Sequence, residues 1–349
     1  MAPFDPHPAL GVRVSVRPLS CALLLVVAAG GVVRSQPAAP QSREAFVMGT
    51  RVVLTTYPDA GGRGGEHLEQ MLQVIERTDG ELSTWRPDSE ISLLHAAAGG
   101  HPEPLSPDTC RLLSDAGRLV TETDGAFDPA IGALVAVWNL HGRGSVPSGN
   151  QLAAARAQSG WRHLGFDRDR CTLGLQAGVS LDVGAFGKGE ALDRVRAEVR
   201  DAEPWMINLG GQIAASGAPP GTDGWEVTIA HPLVRNRPTV SLRMVGGSLS
   251  TSAGSEQDLH VGRTRVGHVL DPRTGDPAPF EGAVSVWSER ALVADALSTA
   301  LYVMGPDEGL RWADVHDVAA IFLHVGEEDE LHRRSSREFV RRFGERGDE

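Results

Sequence analysis

The stretch Leu181-Asp-Val-Gly-Ala-Phe-Gly-Lys-Gly-Glu-Ala-Leu-Asp193 carries carboxylates, glycines and a lysine between two apolar runs. The first run, at residues 179–183, predicts a short buried strand that contains Asp182. Apolar residues at helical spacing follow the glycines. The whole stretch therefore predicts a strand, a glycine-rich turn and a helix, in that order.

A glycine-rich turn before a helix is a common device for holding phosphate. Glycines let the backbone approach a ligand closely, and the start of a helix offers unpaired N–H groups and a partial positive charge. Lys188 lies where it can reach a phosphate, and Asp182 where it can accept a hydrogen bond from a sugar, a base or a metal-bound water. A plain strand-to-helix connection is the alternative interpretation of the same pattern.

Composition indicates a globular protein and argues against one class of partner. The 349 residues are 41% hydrophobic and 22% charged, and the 41 glycines and 22 prolines favour a turn-rich fold over a helical bundle. The formal net charge of −12 argues against a general nucleic-acid binder, because binding nucleic acid needs a basic surface. An acidic protein that binds phosphate needs a local source of positive charge, such as a metal ion.

The first forty residues (1–40) predict a signal peptide and a linker. Arg13 and Arg17 precede an apolar run at residues 21–33, which is too short to span a bilayer comfortably. We therefore expect an exported, periplasmic or extracytoplasmic protein. A retained N-terminal anchor, with association at the inner membrane, is the alternative. Export leaves Cys110 and Cys171, for which a disulfide and two separate thiols both remain open.

The order of the predicted elements favours an α+β fold. Strands outnumber helices and alternate with them irregularly, which does not suit a doubly wound sheet. We expect a single domain at residues 41–326, with mixed or antiparallel sheets and packed helices. Charged residues dominate from Glu327 onward, so residues 327–349 are expected to form a solvated, partly frayed tail.

Three further stretches combine turn residues with polar side chains: Gly125-Ala-Phe-Asp-Pro129, Asn208-Leu-Gly-Gly211 and His268-Val-Leu-Asp-Pro-Arg-Thr-Gly275. For the first two, a plain turn is the alternative interpretation. The third holds an imidazole, a carboxylate, a guanidinium and a hydroxyl in one short segment. This grouping leaves a catalytic or ligand-binding role and a structural role both open.

The helical stretch Ala294-Asp-Ala-Leu-Ser-Thr-Ala300 places a carboxylate in apolar surroundings. Asp295 and Thr299 are four residues apart, so they lie on the same helix face. A buried carboxylate needs a partner, and two hard oxygen ligands on one face suit Mg²⁺, which typically takes one or two carboxylates together with substrate phosphates. An internal cap or ion pair is the alternative role for Asp295.

Taken together, these stretches resemble the ApbE family, the FAD:protein FMN transferases. The resemblance covers roughly residues 44–325. Besides the stretches already quoted, it includes Val47-Met-Gly-Thr50 and Leu82-Ser-Thr-Trp-Arg-Pro-Asp-Ser-Glu-Ile-Ser92, and all the pieces come in the family's order. Each piece is modest alone, but the ordered set is specific.

The resemblance implies an exported, Mg²⁺-dependent enzyme with FAD as its substrate. Such an enzyme cleaves the FAD pyrophosphate, releases AMP and leaves FMN on a threonine or serine of an acceptor flavoprotein, such as a subunit of a redox or ion-pumping complex. The implied metal ligands are the Ala185 carbonyl, Asp295 and Thr299. The implied FAD contacts are Met48, Trp85, Ala126, Phe127, Asp128, Asp182, Lys188 and Val269.

The stretch Ser250-Thr-Ser-Ala-Gly-Ser-Glu256 keeps the Thr-Ser pair of the family but diverges after it. Three single positions also depart from the family pattern. Trp85 stands where a tyrosine is usual, which keeps a stacking face but removes the hydroxyl. Gln212 replaces an acid that often follows the paired glycines, and Glu190 replaces an aromatic residue that often follows the lysine turn. These departures leave the acceptor preference open.

The expected mechanism needs a base for the acceptor hydroxyl, which is a poor nucleophile at neutral pH. His268 is the candidate, because an unperturbed imidazole has a pKa of about 6.5. Asp271 is expected to orient His268 or to replace it as the base. Two rival hypotheses remain: an FAD pyrophosphatase that uses water as the acceptor, and a non-catalytic flavin-binding carrier protein.

Overall fold

The computed structural model describes residues 39–344, except residues 60, 203, 255–257, 263 and 327–328. All but the last two residues of the predicted signal peptide and linker lie outside the described residues. Within the described ranges, no helix is long and apolar enough to cross a bilayer. Helices and antiparallel sheets form a single α+β domain, which confirms the predicted fold class.

The central feature is an eight-stranded sheet in which neighbouring strands pair antiparallel. Sequence neighbours are often spatial neighbours, but β10 joins the sheet next to β7, and β13 lies next to β10. In order across the sheet, the strands are β1 (Gln41–Val47), β2 (Thr50–Thr56), β6 (Trp205–Leu209), β7 (Gln212–Ser216), β10 (Gly246–Ala253), β13 (Ala283–Ser288), β14 (Ala319–Val325) and β15 (Leu331–Ser335).

Smaller sheets surround the central one. A three-stranded sheet has the order β3 (Glu103–Pro104), β5 (Thr172–Leu175) and β4 (Leu164–Asp167). Two hairpins complete the strands: β8 (Trp225–His231) with β9 (Val234–Met244), and β11 (Leu259–Val261) with β12 (Thr264–Val266).

The helices pack against these sheets through apolar faces. In chain order they are α1 (Gly64–Leu82), α2 (Glu90–Ala96), α3 (Pro107–Glu122), α4 (Gly132–Val137), α5 (Gly149–Ala157), α6 (Gly187–Glu198), α7 (Ala291–Val315) and α8 (Arg337–Phe343). Ser106 caps α3 by accepting a hydrogen bond from the Thr109 N–H. α7 is kinked at Gly305, which has a φ of 72° and is followed by Pro306.

The predicted strand at residues 179–183 is wrong. Val179 and Leu181 are buried and the other three residues are partly buried. The segment is irregular, because its backbone groups bond to loops and to a side chain rather than to a neighbouring strand. The Asp182 N–H donates to the Pro129 carbonyl at 2.7 Å, and the Leu181 N–H donates to His95 Nε2 at 2.9 Å. An apolar run indicates burial but does not show where backbone hydrogen bonds go.

The predicted frayed tail from Glu327 onward is wrong for residues 331–343. β15 pairs antiparallel with β14 along its whole length and forms an edge of the central sheet. Ser336 caps α8, and Phe339 in α8 is fully buried. The charged residues lie on the exposed face of an edge strand and a short helix, which is a common way of protecting a sheet edge.

Cys110 in α3 and Cys171, immediately before β5, form a disulfide and are not separate thiols. The bridge ties α3 to the three-stranded sheet, and both cysteines belong to or pack against the largest apolar cluster of the domain. The two cysteines are 61 residues apart in the sequence. Closing a loop of this length in the unfolded chain is worth about 4 kcal/mol in the chain-entropy account.

Removing this disulfide is expected to lower the free energy of unfolding by about 2–4 kcal/mol. The measurement is chemical denaturation of the wild-type protein, with and without dithiothreitol, beside the Cys110→Ala, Cys171→Ala double variant. Dithiothreitol should destabilise the wild type to about the level of the double variant and leave the double variant unchanged. Equal stability of the oxidised and reduced wild type would contradict this expectation.

Candidate functional site

The glycine-rich turn meets α7 through an ion pair between Lys188 and Asp295. Lys188 Nζ lies 3.2 Å from Asp295 Oδ1 and 3.4 Å from Oδ2, and it also donates to the Gly184 carbonyl at 3.2 Å. The Asp295 side chain is 5% exposed, whereas the Lys188 side chain is 25% exposed. A buried carboxylate is therefore joined to a lysine that reaches the surface.

Two further donors hold the Asp295 carboxylate. The Gly189 N–H donates to Oδ2 at 3.1 Å, and the Ser250 hydroxyl of β10 donates to Oδ1 at 3.2 Å. Ser298 bonds to Ser250 and to the Asp295 carbonyl, at 3.3 and 2.9 Å. The carboxylate thus has an ammonium, an amide and a hydroxyl as partners, which together offset the cost of burying its charge.

α6 and α7 approach each other closely at this point. A Cβ on Gly189 would lie 2.5 Å from both the Ala291 carbonyl oxygen and the Leu292 Cα, so only glycine fits. Asp193 of α6 accepts from the Ala291 N–H at 2.6 Å and from the Leu292 N–H at 3.3 Å. Asp193 therefore caps the helix that carries Asp295, by satisfying N–H groups that have no partner within the helix.

Asp182 lies at the other end of the glycine-rich turn. Its Oδ1 accepts from the Gly184 N–H at 2.8 Å, and its Oδ2 lies 3.2 Å from His141 Nε2. This hydrogen bond raises the pKa of His141 above its ordinary value. The His141 ring also meets the Trp85 ring edge to face, with centroids 5.2 Å apart, and Trp85 is 73% exposed.

The backbone before Asp182 is held by His95. Because His95 Nε2 accepts from the Leu181 N–H at 2.9 Å, this nitrogen carries no proton. Burial lowers the pKa of His95, although the negative charge of Asp182 opposes the effect. A neutral His95 in α2 thus fixes the segment on which Asp182 stands.

The Gly125–Pro129 stretch is held in place by burial and by hydrogen bonds. Ala126 and Phe127 are fully buried, and the Phe127 ring meets the Phe186 ring edge to face. Asp128 accepts from the Ala130 and Trp161 N–H groups, both at 2.8 Å. Burial raises the pKa of Asp128, and these two hydrogen bonds oppose the rise.

His268 is oriented by Asp258 and not by Asp271, so the expected pairing with Asp271 is wrong. His268 Nδ1 lies 3.2 Å from Asp258 Oδ1, whereas both oxygens of Asp271 accept from the Arg273 guanidinium at 2.9 and 3.0 Å. Burial would raise the pKa of Asp258, but hydrogen bonds from His268 and Arg265 bring it below the ordinary value. Asp271 shapes its own loop through Arg273.

The remaining predicted residues are half-buried around the same turns. A Cβ on Gly187 would lie 3.5 Å from Met48 Cε, which places Met48 against the glycine-rich turn. Ala185 and Val269 pack against the largest apolar cluster. The Thr299 hydroxyl lies 3.5 Å from the Asp295 carbonyl, a long contact that leaves the hydroxyl free to bind elsewhere.

Two of the three departures from the family pattern have structural partners. Gln212 Nε2 donates to the Ala291 carbonyl at 2.9 Å and to the Ser248 hydroxyl at 3.2 Å, so the amide helps to hold the start of α7. Glu190 is 1% exposed and is bonded by Arg194 at 2.8 Å and by Arg111 at 2.9 Å. A side chain buried in this way supports α6 and does not face an acceptor.

The metal ligands implied by the family resemblance are of the oxygen type that suits a hard cation. The described ranges contain no group of three or more histidine, cysteine, aspartate or glutamate side chains able to hold a metal. One carboxylate, one hydroxyl and one carbonyl, from Asp295, Thr299 and Ala185, are too few for a complete cage. They match Mg²⁺, which keeps waters and takes substrate phosphates as ligands.

The contacts therefore join the predicted residues into three groups. Lys188, Asp295, Thr299 and Met48 surround the glycine-rich turn, Trp85 and Asp182 are connected through His141, and His268 pairs with Asp258. The His268–Gly275 loop contacts the turn that carries His141, because Trp138 Nε1 in that turn donates to the Gly275 carbonyl at 2.8 Å. Cationic, carboxylate, aromatic and imidazole groups thus lie on connected elements.

The chain is similar in sequence to known proteins. A sequence model of the ApbE family matches residues 48–322. An FAD:protein FMN transferase of Klebsiella pneumoniae is 32% identical over 292 residues, which cover 81% of this chain and 88% of that protein.

Two solved structures share the fold. The apo crystal structure of the Pseudomonas stutzeri flavinyl transferase ApbE has a TM-score of 0.78 at 29% identity and covers 88% of this chain and 97% of that chain. The flavin transferase ApbE from Vibrio cholerae has a TM-score of 0.77 at 26% identity and covers 87% and 99%. The fold is therefore that of the single-domain α+β class to which these structures belong. The chain itself belongs to the ApbE family.

Sequence reasoning missed three residues that the structure places in the site: His95, His141 and Asp258. The position of Asp258 follows from a hairpin. Leu259 pairs antiparallel with Val266, which brings Asp258 before the hairpin close to His268 after it. No local signal links His141 to Asp182, which lies in a distant part of the chain. The same holds for His95, whose partner is a backbone N–H.

Proposed function

We propose that this protein transfers FMN from FAD to a hydroxyl of an acceptor protein and releases AMP. The observation that carries the proposal is the Lys188–Asp295 pair, in which the glycine-rich turn of an ApbE-family chain meets a buried carboxylate. The relatives named FAD:protein FMN transferase support the same activity. Threonine, with serine as the alternative, is the proposed acceptor residue.

We propose Mg²⁺ as the metal of this reaction, held by Asp295, Thr299 and the Ala185 carbonyl. The support is the hard-oxygen character of these donors and the need of an acidic protein for a cation beside a pyrophosphate. When bound, the ion would supply positive charge to the pyrophosphate oxygens. Lys188, a quarter exposed beside the same carboxylate, is the chain's own cation for the phosphates.

His268 is the proposed general base. Its Nδ1 faces the Asp258 carboxylate, so the neutral ring donates from Nδ1 and leaves the lone pair of Nε2 free. In the proposed step, the acceptor hydroxyl oxygen bonds to the FMN phosphorus while the bond from that phosphorus to the AMP oxygen breaks. The hydroxyl proton goes to His268 Nε2, and AMP leaves with the bonding electron pair.

The nucleotide contacts are proposed for residues whose exposed parts adjoin these groups. Trp85 offers an exposed aromatic face for a ring system, and Asp182 offers a carboxylate to the nucleotide. Asp128 already accepts two backbone hydrogen bonds, so its proposed role is to hold the Gly125–Pro129 turn in shape beside FAD. Met48 and Val269 would add apolar contacts.

The compartment and the partner are proposals as well. We propose an exported, periplasmic or extracytoplasmic protein that acts on an acceptor flavoprotein subunit of a redox or ion-pumping complex. The disulfide supports export, because disulfides persist mainly in oxidising compartments. Attachment to the inner membrane through the N-terminus is the alternative to a released protein.

The transferase proposal is tested by mass spectrometry of an acceptor. The full chain is incubated with FAD, Mg²⁺ and an acceptor protein that carries a threonine flavinylation segment, with a threonine-to-alanine acceptor as the matched control. We expect a mass gain equal to one FMN phosphoester on the threonine acceptor, no gain on the control, and loss of the gain when EDTA removes the metal.

Other results would point to the rival functions. Release of AMP and FMN without any acceptor, and without a mass gain when an acceptor is present, would identify a pyrophosphatase. Tight FAD binding with no turnover under any of these conditions would identify a flavin-binding carrier. Either result would reject the transferase proposal.

A further inference from the structure

His141 stands between two residues that the family resemblance assigns to the flavin nucleotide. It lies in the turn that follows α4, and its Nε2 is 3.2 Å from Asp182 Oδ2. The same imidazole ring contacts the Trp85 ring edge to face, at a centroid distance of 5.2 Å. One side chain thus joins an exposed aromatic ring to a carboxylate.

The two neighbours of His141 differ in how firmly they are held without it. The backbone of Asp182 is fixed by the Pro129 carbonyl, and its Oδ1 is fixed by the Gly184 N–H. Trp85, by contrast, is 73% exposed, and an exposed ring has few packing contacts to set its angle. The main effect of the His141 imidazole is therefore to hold the Trp85 ring and the Asp182 Oδ2 atom in fixed positions relative to each other.

A fixed relation between a carboxylate and an aromatic face is useful for one class of ligand. A nucleotide presents hydroxyl and N–H groups beside a flat ring system, so its polar edge and its ring face must be met at the same time. Holding both groups before the ligand arrives reduces the ordering cost of binding. His141 is half exposed, which suits a group at the wall of a ligand site better than a core residue.

We propose that His141 is a positioning residue of the flavin-nucleotide site. It holds the Trp85 ring and the Asp182 carboxylate in the relative positions that FAD binding requires. This inference rests on the proposed function, because it assumes FAD as the ligand. It assigns a role to a residue that neither the motif pattern nor the family resemblance singled out. His141 acts through its two neighbours and takes no part in proton transfer.

Three substitutions separate the two contacts of His141. His141→Phe keeps a ring against Trp85 but removes the donor to Asp182, His141→Gln keeps an N–H donor but removes the ring, and His141→Ala removes both. We expect the alanine variant to bind FAD about tenfold more weakly, which corresponds to about 1.4 kcal/mol. The other two variants should fall between it and the wild type.

A purely structural role would give a different pattern of measurements. We expect KM for FAD to rise more than kcat falls, and the unfolding midpoint of the FAD-free protein to stay unchanged. The stabilisation of the protein by added FAD should shrink, because that shift follows the affinity. In a double-mutant cycle, the effect of His141→Ala should be much smaller when Trp85 is already alanine.

His316→Phe is the matched control. His316 also contacts a tryptophan ring, that of Trp312 at a centroid distance of 4.0 Å, but it caps the end of α7 far from Asp295 along the helix. Unchanged FAD affinity in His141→Ala, or an equal loss in the His316→Phe control, would overturn the proposal. A full effect of His141→Ala in the Trp85→Ala background would overturn it as well.

The wild-type measurements keep this test separate from the test of function. Wild-type protein that binds no FAD and modifies no acceptor would reject the proposed function itself. Wild-type protein that binds FAD and transfers FMN, together with a His141→Ala variant of equal affinity, would reject only the role of His141.

Discussion

The Asp295→Ala variant is expected to lose FMN transfer by about 10³-fold or more while keeping its fold. The substitution removes the carboxylate that pairs with Lys188 and accepts from Gly189 and Ser250, and with it the main proposed metal ligand. Positive charge at a transferring phosphate is worth several kcal/mol, which corresponds to a factor of this size in rate. The measurement is the initial rate of acceptor flavinylation at saturating Mg²⁺.

Two companion variants sharpen this test. Asp295→Asn keeps the shape of the side chain and removes its charge, so it should lose nearly as much activity if charge is what matters. Asp307→Ala changes an exposed aspartate of the same helix, whose side chain is 78% exposed and pairs with Arg334, and should leave the rate unchanged. Turnover near the wild-type rate in Asp295→Ala would reject the assignment of this carboxylate to the metal and phosphate site.

Gly189→Ala is expected to lower the free energy of unfolding by about 3 kcal/mol. The added methyl carbon would lie 2.5 Å from the Ala291 carbonyl oxygen and from the Leu292 Cα. Both are backbone atoms, so no side chain can rotate away, and α6 and α7 must move apart. That movement also stretches the hydrogen bond from the Gly189 N–H to Asp295, so activity should fall as well. Urea denaturation measures the first effect and the flavinylation assay the second.

Gly80→Ala is the control for the glycine substitution. Gly80 lies within α1, and a Cβ there meets nothing within 4 Å. Alanine should therefore stabilise the protein by up to about 1 kcal/mol, through its higher helix propensity. A Gly189→Ala variant as stable as the wild type would contradict the close helix contact.

The sequence predicted the parts of this fold that depend on local pattern. The helix after the glycine-rich turn, α6, and the helix that carries Asp295, α7, follow from apolar residues at helical spacing. The segment at residues 179–183 was misassigned, because burial and strand pairing leave the same apolar signature. The edge strand β15 was missed because its charges face solvent and its partner strand is fixed only by tertiary contacts.

Functional residues that stand in a distinctive motif could be predicted from the sequence. Contacts between residues of different motifs could not. Lys188 and Asp295 were both singled out, although they are 107 residues apart, because each stands in a distinctive local pattern. The orienting partner of His268 was assigned to Asp271, the carboxylate nearest in its motif, whereas the fold supplies Asp258. His141 has no motif of its own, and its role depends on Trp85 and Asp182 being brought to it.

The Lys188–Asp295 ion pair also bears on the resting state of the protein. A buried carboxylate awaiting a cation would carry an uncompensated charge in every molecule that has not yet met its nucleotide. Lys188 serves as a stand-in counter-ion, since its ammonium neutralises Asp295 while its chain still reaches the surface. The charge of Asp295 therefore has a partner within the chain itself. Folding does not depend on a metal to compensate this charge, and binding of the proposed metal would exchange one partner of the carboxylate for another.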